Sequence, residues 1–239
     1  YTIIKKIEVT FAHCYNDSKE TINKFKELTS DTKNNYTRYS FFYSNYLNKI
    51  EKFTDSENVL NKNLITNPRN YILNQLKFDI SYKKKLNISN KFNCKNLSDI
   101  GAELLYIVSD ILSAQSSYGA SNFYLNLAKF LNPKFSSFNY LYAENFFKLK
   151  QFDKSEKIYR KLLKIENSYS WHASKQISKI ILAKKKKKES LEFLKKKFQA
   201  IKNPNPYEIY DYANFLKINE KFNEAIKYYS KVLNIIDDN

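Results

Sequence analysis

The sequence contains very little glycine: two residues in 239, Gly101 and Gly119. Loops that cradle phosphates, and the turns of dinucleotide-binding folds, need two or three glycines within a few residues, because the backbone approaches the ligand closely. The chain also has only four prolines. These are too few turn-forming residues for a sandwich or barrel of many short strands. The scarcity of both residue types therefore excludes such nucleotide sites and argues against an all-β fold.

Cysteine and histidine are equally scarce, with two of each in the chain. Cys14 and Cys94 are far apart, as are His13 and His172, so no cluster has the spacing of metal ligands. Neighbouring residues in a helix point about 100° apart, so His13 and Cys14 do not face each other as a base and its nucleophile. Two cysteines do not indicate a disulfide framework and leave the redox compartment open. We therefore expect no enzyme, no metal and no cofactor.

Long hydrophobic runs are missing too, and stretches such as Leu104–Val108 are much shorter than the 18 or more apolar residues of a membrane span. We expect no transmembrane segment. The chain begins at Tyr1 and contains no methionine. We interpret it as a fragment or a processed product whose N-terminal targeting segment is not present, from a protein of the cytoplasm or the periplasm.

Apolar and basic residues are abundant. Hydrophobic residues make up 43% and aromatic residues 16%, which is ample material for a core. The formal net charge is +17, and 38 of the 41 basic residues are lysine, since arginine occurs only at Arg38, Arg69 and Arg160. Such a strongly basic chain would attract an anionic partner if its lysines form a patch.

A repeat of 34 or 35 residues runs through most of the chain. Windows of this length begin at Thr37, Ala102, Ser136, Trp171 and Pro206. They are aligned on a small residue at the twentieth place: Ser56, Ser121, Ser155, Ser190 and Ala225. The eighth place is then also small in every window: Ser44, Ser109, Ala143, Ser178 and Ala213. The eleventh place is always large and apolar: Leu47, Leu112, Phe146, Ile181 and Leu216.

These spacings predict a pair of helices in each window. The eighth and eleventh places share one helical face, and the twentieth and twenty-fourth places share another. Two small residues let the helices cross closely while the large residues pack around them. One such hairpin cannot bury its apolar face alone, so successive copies must stack. The predicted fold is all-α, an α-solenoid of stacked antiparallel helix pairs.

The windows resemble tetratricopeptide repeats. The clearest matches are Phe152–Tyr159 and Phe222–Tyr229, which are similar to the turn and the opening of the second helix in that family, and Pro68 and Pro133 lie near the ends of their windows as proline often does there. The chain departs from the family where its signature tryptophan, glycine and alanine are replaced. The resemblance implies a right-handed superhelix. The high content of lysine, asparagine, isoleucine, phenylalanine and tyrosine is typical of a bacterial protein from an AT-rich genome.

The predicted organisation has four parts. It comprises a degenerate helical hairpin at 1–36, one repeat at 37–70, a helix with an inserted polar loop at 71–101, and four tandem repeats at 102–135, 136–170, 171–205 and 206–239. The loop at 81–97 is rich in lysine and asparagine and lacks a helical period, so it is either functional or merely mobile, and we favour mobile. Ser98 or Asp99 is expected to cap the helix that follows.

The resemblance also implies where a partner binds, since the first helices of such repeats line a groove with their fifth and ninth places. The resulting candidate residues are Tyr106, Asp110, Tyr140, Glu144, Lys175, Lys179, Tyr210 and Asn214. An aromatic and charged surface suits an extended peptide or a helix, because tyrosine offers large contact area and a hydroxyl group. We therefore predict a non-catalytic scaffold or adaptor that binds a protein partner. The competing interpretation is that these tyrosines pack between neighbouring helices.

The alternative function is a basic module for nucleic acid or an anionic membrane surface. The window 171–204 contains the run Lys184–Lys188 and has a strong local excess of lysine. Arginine, which suits bidentate phosphate contacts, is nearly absent, so genome composition explains the bias better than a site does. Finally, the helix predicted at 223–236 carries more apolar residues than a terminal helix should: Ile226, Tyr229, Val232, Leu233 and Ile236. We expect further repeats to follow it and the isolated chain to self-associate through it.

Overall fold

The computed structural model describes residues 2–30, 36–81, 92–134, 137–164 and 167–237. Within these ranges the chain forms thirteen α-helices and no strand, which confirms the all-α prediction. The helices are α1 Thr2–Tyr15, α2 Ser18–Ser30, α3 Thr37–Lys49, α4 Phe53–Thr66, α5 Tyr71–Ser81, α6 Leu97–Ala114, α7 Tyr118–Leu131, α8 Ser137–Lys148, α9 Phe152–Leu162, α10 Asn167–Ala183, α11 Lys187–Gln199, α12 Pro206–Ile218 and α13 Phe222–Asp237.

The chain divides into two compact units. Unit 1 is Tyr1–Gln151 and contains α1 to α8, and unit 2 is Phe152–Asn239 and contains α9 to α13. In each unit, most helices pack against the next helix in the chain, as α6 does against α7 and α12 against α13. The boundary lies between α8 and α9, inside the repeat predicted at 136–170.

A hydroxyl-to-carbonyl hydrogen bond fastens the helix pairs where they cross. Three windows share it: the serine at the twentieth place donates its hydroxyl to the main-chain oxygen of the eighth place. The pairs are Ser56 to Ser44 at 2.8 Å, Ser121 to Ser109 at 2.8 Å and Ser190 to Ser178 at 2.7 Å. All six serines are completely buried, so the two backbones approach too closely for a larger side chain. A serine satisfies both needs, since it is small and its polar group is paired.

The N-terminal hairpin of α1 and α2 repeats this bond with different residues. Thr21 donates its hydroxyl to the main-chain oxygen of Ala12 at 2.7 Å, and both residues are buried. Ala12 therefore takes the eighth place and Thr21 the twentieth, although no sequence window starts in this region. The common bond gives a structural register for the first hairpin.

A left-handed residue ends the first helix in all five windows. Each occupies the fifteenth place, is not glycine, and has φ between 57° and 62°: Glu51, Ser116, Lys150, Lys185 and Glu220. The next amide then donates back to the carbonyl of the eleventh place, as Lys186 does to Ile181 at 3.2 Å. This is the Schellman arrangement that terminates many helices, where glycine is the usual residue. The chain builds the turn without it.

The segment between α5 and α6 differs in part from the expectation. Residues 82–91 of the predicted loop lie outside the described residues. The helix α6 begins at Leu97, and its cap is Asn96 rather than Ser98 or Asp99: the Asn96 side chain accepts a hydrogen bond from the Ser98 amide at 3.1 Å. Asp99 instead accepts from the Asn93 amide at 2.8 Å and so holds the preceding turn.

Cys14 and Cys94 form a disulfide, 80 positions apart in sequence, and no free cysteine exists among the described residues. It ties the end of α1 to the turn that leads into α6. Nothing in the cysteine spacing indicates this pairing.

Candidate peptide-binding surface

In unit 1, Tyr106 lies between two packing partners. The Arg38 guanidinium stacks 3.8 Å from the centre of its ring, and the Phe138 ring lies 5.5 Å away. Burial raises the pKa of the Tyr106 hydroxyl, and the nearby Arg38 charge opposes this shift. Tyr106 therefore packs between Arg38 of α3 and Phe138 of α8, and its side chain is partly exposed.

Arg38 is the centre of a network that sequence reasoning missed. Its Nε donates to Glu103 at 2.8 Å and its Nη1 donates to the Ser137 hydroxyl at 2.9 Å, so it joins α3, α6 and α8. Glu103 is 1% exposed. Although burial opposes it, the Glu103 carboxylate raises the pKa of Arg38. A buried charge needs such a partner, and the only hint in the sequence is that Arg38 is one of three arginines in a lysine-rich chain.

The other three candidates of unit 1 also make contacts within the fold. Asp110 pairs with Lys6 of α1 at 3.1 Å, and its side chain stays 43% exposed. Tyr140 and Glu144 lie one turn apart on α8, and the Tyr140 hydroxyl donates to Glu144 at 3.4 Å. Asp110 therefore connects α6 to α1.

In unit 2, an ion pair joins the first helices α10 and α12. Lys175 of α10 pairs with Asp211 of α12 at 2.5 Å, and the Trp171 indole donates to the same carboxylate at 3.3 Å. In tetratricopeptide proteins a lysine of this kind can clamp a peptide carboxylate. Here the Asp211 carboxylate already neutralises Lys175, so Lys175 is not available as such a clamp.

Lys179 is the second candidate lysine of α10. It lies one turn after Lys175, is exposed, and forms no ion pair within the part of the chain that the structure describes. On α12, Tyr210 is 42% exposed and its ring lies 5.7 Å from that of Tyr229. Asn214 accepts a hydrogen bond from the Tyr229 hydroxyl at 2.8 Å, which orients its amide group. Unit 2 thus combines an ammonium, an aromatic ring and an amide on adjacent first helices.

The run Lys184–Lys188 is partly neutralised. Lys184 pairs with Asp153 at 2.7 Å and with Glu156 at 2.9 Å. The other paired members are Lys186 with Glu189 at 3.1 Å and Lys187 with Glu220 at 3.0 Å. Lys185 and Lys188 form no ion pair within the described ranges. Three lysines of the five are therefore engaged with acidic residues of the same unit.

His13 has a structural environment. Four aromatic rings surround it with centroids 5.5 to 6.0 Å away: Phe25, Phe42, Tyr46 and Phe92. Burial, aided by the Lys49 charge, lowers the pKa of His13 to about 4. Its neighbour Cys14 is committed to the disulfide. No group of three or more histidine, cysteine or acidic side chains in the described ranges could hold a metal ion, and none of the described helices is long and apolar enough to cross a membrane.

No family model and no curated protein matches the sequence. Solved structures do resemble the fold. BtubC (BKLC) from P. vanneervenii is 10% identical, with 99% of this chain and 89% of that chain covered and a TM-score of 0.50. An array of nearly identical TPR-like repeats from a kinesin light chain of Podosopora anserina is 10% identical, with 84% and 95% covered and a TM-score of 0.47. A tetratricopeptide repeat protein from Parabacteroides merdae is 13% identical, with 98% and 93% covered and a TM-score of 0.44.

At these identities the likeness concerns the fold alone. The likeness to BtubC and the recurring helix pairs confirm the predicted resemblance, so the fold is a tetratricopeptide-like helical repeat. The bacterial origin, the repeat boundaries and the candidate residues stay predictions.

Proposed function

We propose that this protein is a non-catalytic scaffold that binds a protein or peptide segment along its first helices. The observation that carries the proposal is the surface of α10 and α12 in unit 2. Lys175 and Asp211 hold these helices together, and Lys179 and Tyr210 remain exposed beside them. We call Lys179, Tyr210 and Asn214 the α10–α12 surface.

The chemistry of this surface favours an extended segment with a carboxylate and an apolar side chain. Lys179 is an ammonium group without an ion-pair partner among the described residues, so it suits an acidic residue or a chain terminus. Tyr210 offers ring area at low entropic cost, and Asn214 is already oriented by Tyr229. In unit 1 we propose that four residues contact a partner segment: Tyr106, Asp110, Tyr140 and Glu144. Tyr106 packs under Arg38 and acts as a supporting side chain.

A display library of random peptides tests the proposal. A recovered peptide is labelled, and its dissociation constant is measured by fluorescence anisotropy at two salt concentrations. We expect Tyr210→Ala with Lys179→Ala to weaken binding at least tenfold. The matched control is Phe130→Ala with Lys134→Ala, which removes an exposed aromatic and an exposed lysine from the region of α7 and should leave binding unchanged. Equal losses in both double variants would contradict the proposal.

The competing proposal is a basic module that binds nucleic acid or an anionic membrane surface. Replacing Lys184–Lys188 with serine should leave peptide binding nearly unchanged, because three of these lysines are paired within unit 2. If the serine variant instead abolishes binding of a DNA duplex or of anionic vesicles, and no peptide is recovered, the basic module is the better description. A steep fall of affinity with salt would accompany that result. Self-association through 223–236, where Ile226, Leu233 and Ile236 are exposed, is a separate proposal.

A further inference from the structure

The turn that leads into α6 inserts an aromatic side chain into the core of unit 1. Phe92 lies in this non-helical turn, residues 92–96, and is 6% exposed. Its ring lies 5.3 Å from that of Phe42 and 6.0 Å from that of His13, measured between centroids. Because the ring is carried by a short turn and not by a helix, it can leave the core by a local opening that keeps α1, α3 and α6 in place.

A small cavity lies beside the Phe92 ring. Its volume is about 10 Å³, and it is lined by residues of α1, α2, α3 and α6 together with Phe92. His13 lines it as well, and the Nδ1 atom of this imidazole is buried without a hydrogen-bond partner among the described residues. Such a cavity has room for about one water-sized group. The place of the Phe92 ring and the cavity together therefore match a benzene ring that carries one small polar group.

A hydroxyl is the polar group that suits His13. Burial, aided by the Lys49 charge, lowers the pKa of His13 to about 4, so the imidazole is neutral near pH 7. One nitrogen of a neutral imidazole donates and the other accepts, and a hydroxyl pairs with either because it both donates and accepts. A buried polar atom without a partner costs free energy, which a bond to the hydroxyl offsets. The ring that fits this place is therefore a phenol.

The disulfide of Cys14 and Cys94 holds the turn over the cavity. Cys94 lies two positions after Phe92, and Cys14 belongs to α1, which lines the cavity. The Asn93 amide donates instead to Asp99 of α6 at 2.8 Å. Both cysteines are partly exposed, so a thiol can reach the bond. The disulfide is thus an accessible covalent tie between α1 and the turn that carries Phe92.

We propose that Phe92 is a removable plug, and that reduction of the Cys14–Cys94 disulfide turns its place into a binding pocket for a phenol ring. A dithiol reduces the bond: its two thiols are oxidised to a disulfide, and both cysteines become thiols. The turn then stays attached to α6 but not to α1, and a phenol competes with Phe92 for the place beside His13. The pocket lies in unit 1, and this inference does not depend on peptide binding by the α10–α12 surface.

The test measures binding of p-cresol to the full chain by isothermal titration calorimetry, with and without dithiothreitol. Phe92→Ala removes the plug and keeps the disulfide, whereas Cys14→Ser with Cys94→Ser removes the tie and keeps the plug. Toluene, which has the ring but no hydroxyl, is the matched ligand. Far-ultraviolet circular dichroism under the same conditions checks that the helices are intact, and Phe92→Val replaces Phe92→Ala if that variant loses helicity.

We expect p-cresol to bind the reduced parent at least tenfold more tightly than the oxidised parent. Phe92→Ala should bind it with or without dithiothreitol, and the double cysteine variant should bind it without responding to dithiothreitol. Phe92→Ala should also bind p-cresol more tightly than toluene. Adding His13→Phe to that variant should remove this preference, because the ring nitrogen is then absent.

Equal affinity of the oxidised and reduced parent for p-cresol would overturn the proposal. So would a Phe92→Ala variant that binds no p-cresol or prefers toluene. Loss of helicity on reduction would overturn it as well, because the disulfide would then hold the fold and not the plug. N-acetyltyrosinamide distinguishes two sources of the phenol: binding of both ligands supports a tyrosine side chain of a partner, and binding of p-cresol alone supports a small molecule.

Discussion

Ser190 donates its hydroxyl to the main-chain oxygen of Ser178 at 2.7 Å, at the point where α11 crosses α10. Both residues are fully buried. The bond explains why serine recurs at these places: the crossing needs a small side chain, and a buried polar group needs a partner. Alanine meets the first need alone, as Ala213 and Ala225 do in the last helix pair.

The first prediction concerns this bond. Ser190→Ala keeps the small volume but leaves the hydroxyl-to-carbonyl bond unmade, so we expect the free energy of unfolding to fall by about 1 kcal/mol. Urea denaturation followed by circular dichroism measures it. Ser230→Ala on the exposed side of α13 is the matched control and should change stability by less than about 0.5 kcal/mol. Equal effects at the two positions would show that the buried bond contributes nothing.

The second prediction concerns the left-handed turn. Lys185 has φ of 61°, which strains any residue that carries a Cβ atom, so Lys185→Gly should stabilise the chain by about 0.5 to 1 kcal/mol. Thermal and urea unfolding provide the measurement. Lys188→Gly, three positions later and inside α11, should instead destabilise by about 1 kcal/mol, because glycine is a poor helix former. Two changes of the same sign would contradict this account of the turn.

The repeated helix pairs were predictable from the sequence because they depend on volume and spacing. Where two helices cross, the residues at the eighth and twentieth places must be small and the residue at the eleventh place must be large. Every window from Thr37 onward meets this requirement. The first hairpin has no such window, since its short connection brings Thr21 within nine positions of Ala12. A search for a period of 34 therefore passes over it.

The contacts of the candidate surface were less predictable, because they join residues that are far apart in sequence. Arg38 and Glu103 are 65 positions apart, and Lys6 and Asp110 are 104 apart. Periodicity identifies which face of a helix a residue occupies but not which charge lies opposite. The place of Tyr106 in the repeat was therefore predictable, whereas its stacking on Arg38 was not.

The third prediction concerns the disulfide of Cys14 and Cys94. Closing a loop of 80 residues restricts the unfolded chain, which in the loop-entropy model corresponds to about 4 kcal/mol of stability. We expect Cys14→Ser with Cys94→Ser to lower the urea midpoint markedly, and dithiothreitol to lower that of the parent but not of the double variant. Intact mass spectrometry after alkylation under non-reducing conditions should find no modified cysteine in the parent. Two labelled cysteines in oxidised protein would show that the bond is not formed.

The last prediction is a pH dependence that arises from His13. The pKa of its side chain is about 4 in the folded protein and near 6.5 in the unfolded chain, so between these values only the unfolded chain binds the proton. The stabilising contribution is therefore complete above pH 6.5 and is lost as the pH falls towards 4, by about 3 kcal/mol in all. His13→Phe suits the surrounding aromatic rings and has no proton to bind. Urea unfolding at pH 7.5, 6 and 5 should show a smaller loss of the free energy of unfolding for His13→Phe than for the parent. The control variant His172→Gln keeps His13, so it should keep the part of the loss that arises from His13. Parallel curves for His13→Phe and the parent would mean that His13 is protonated in the folded protein as readily as in the unfolded chain.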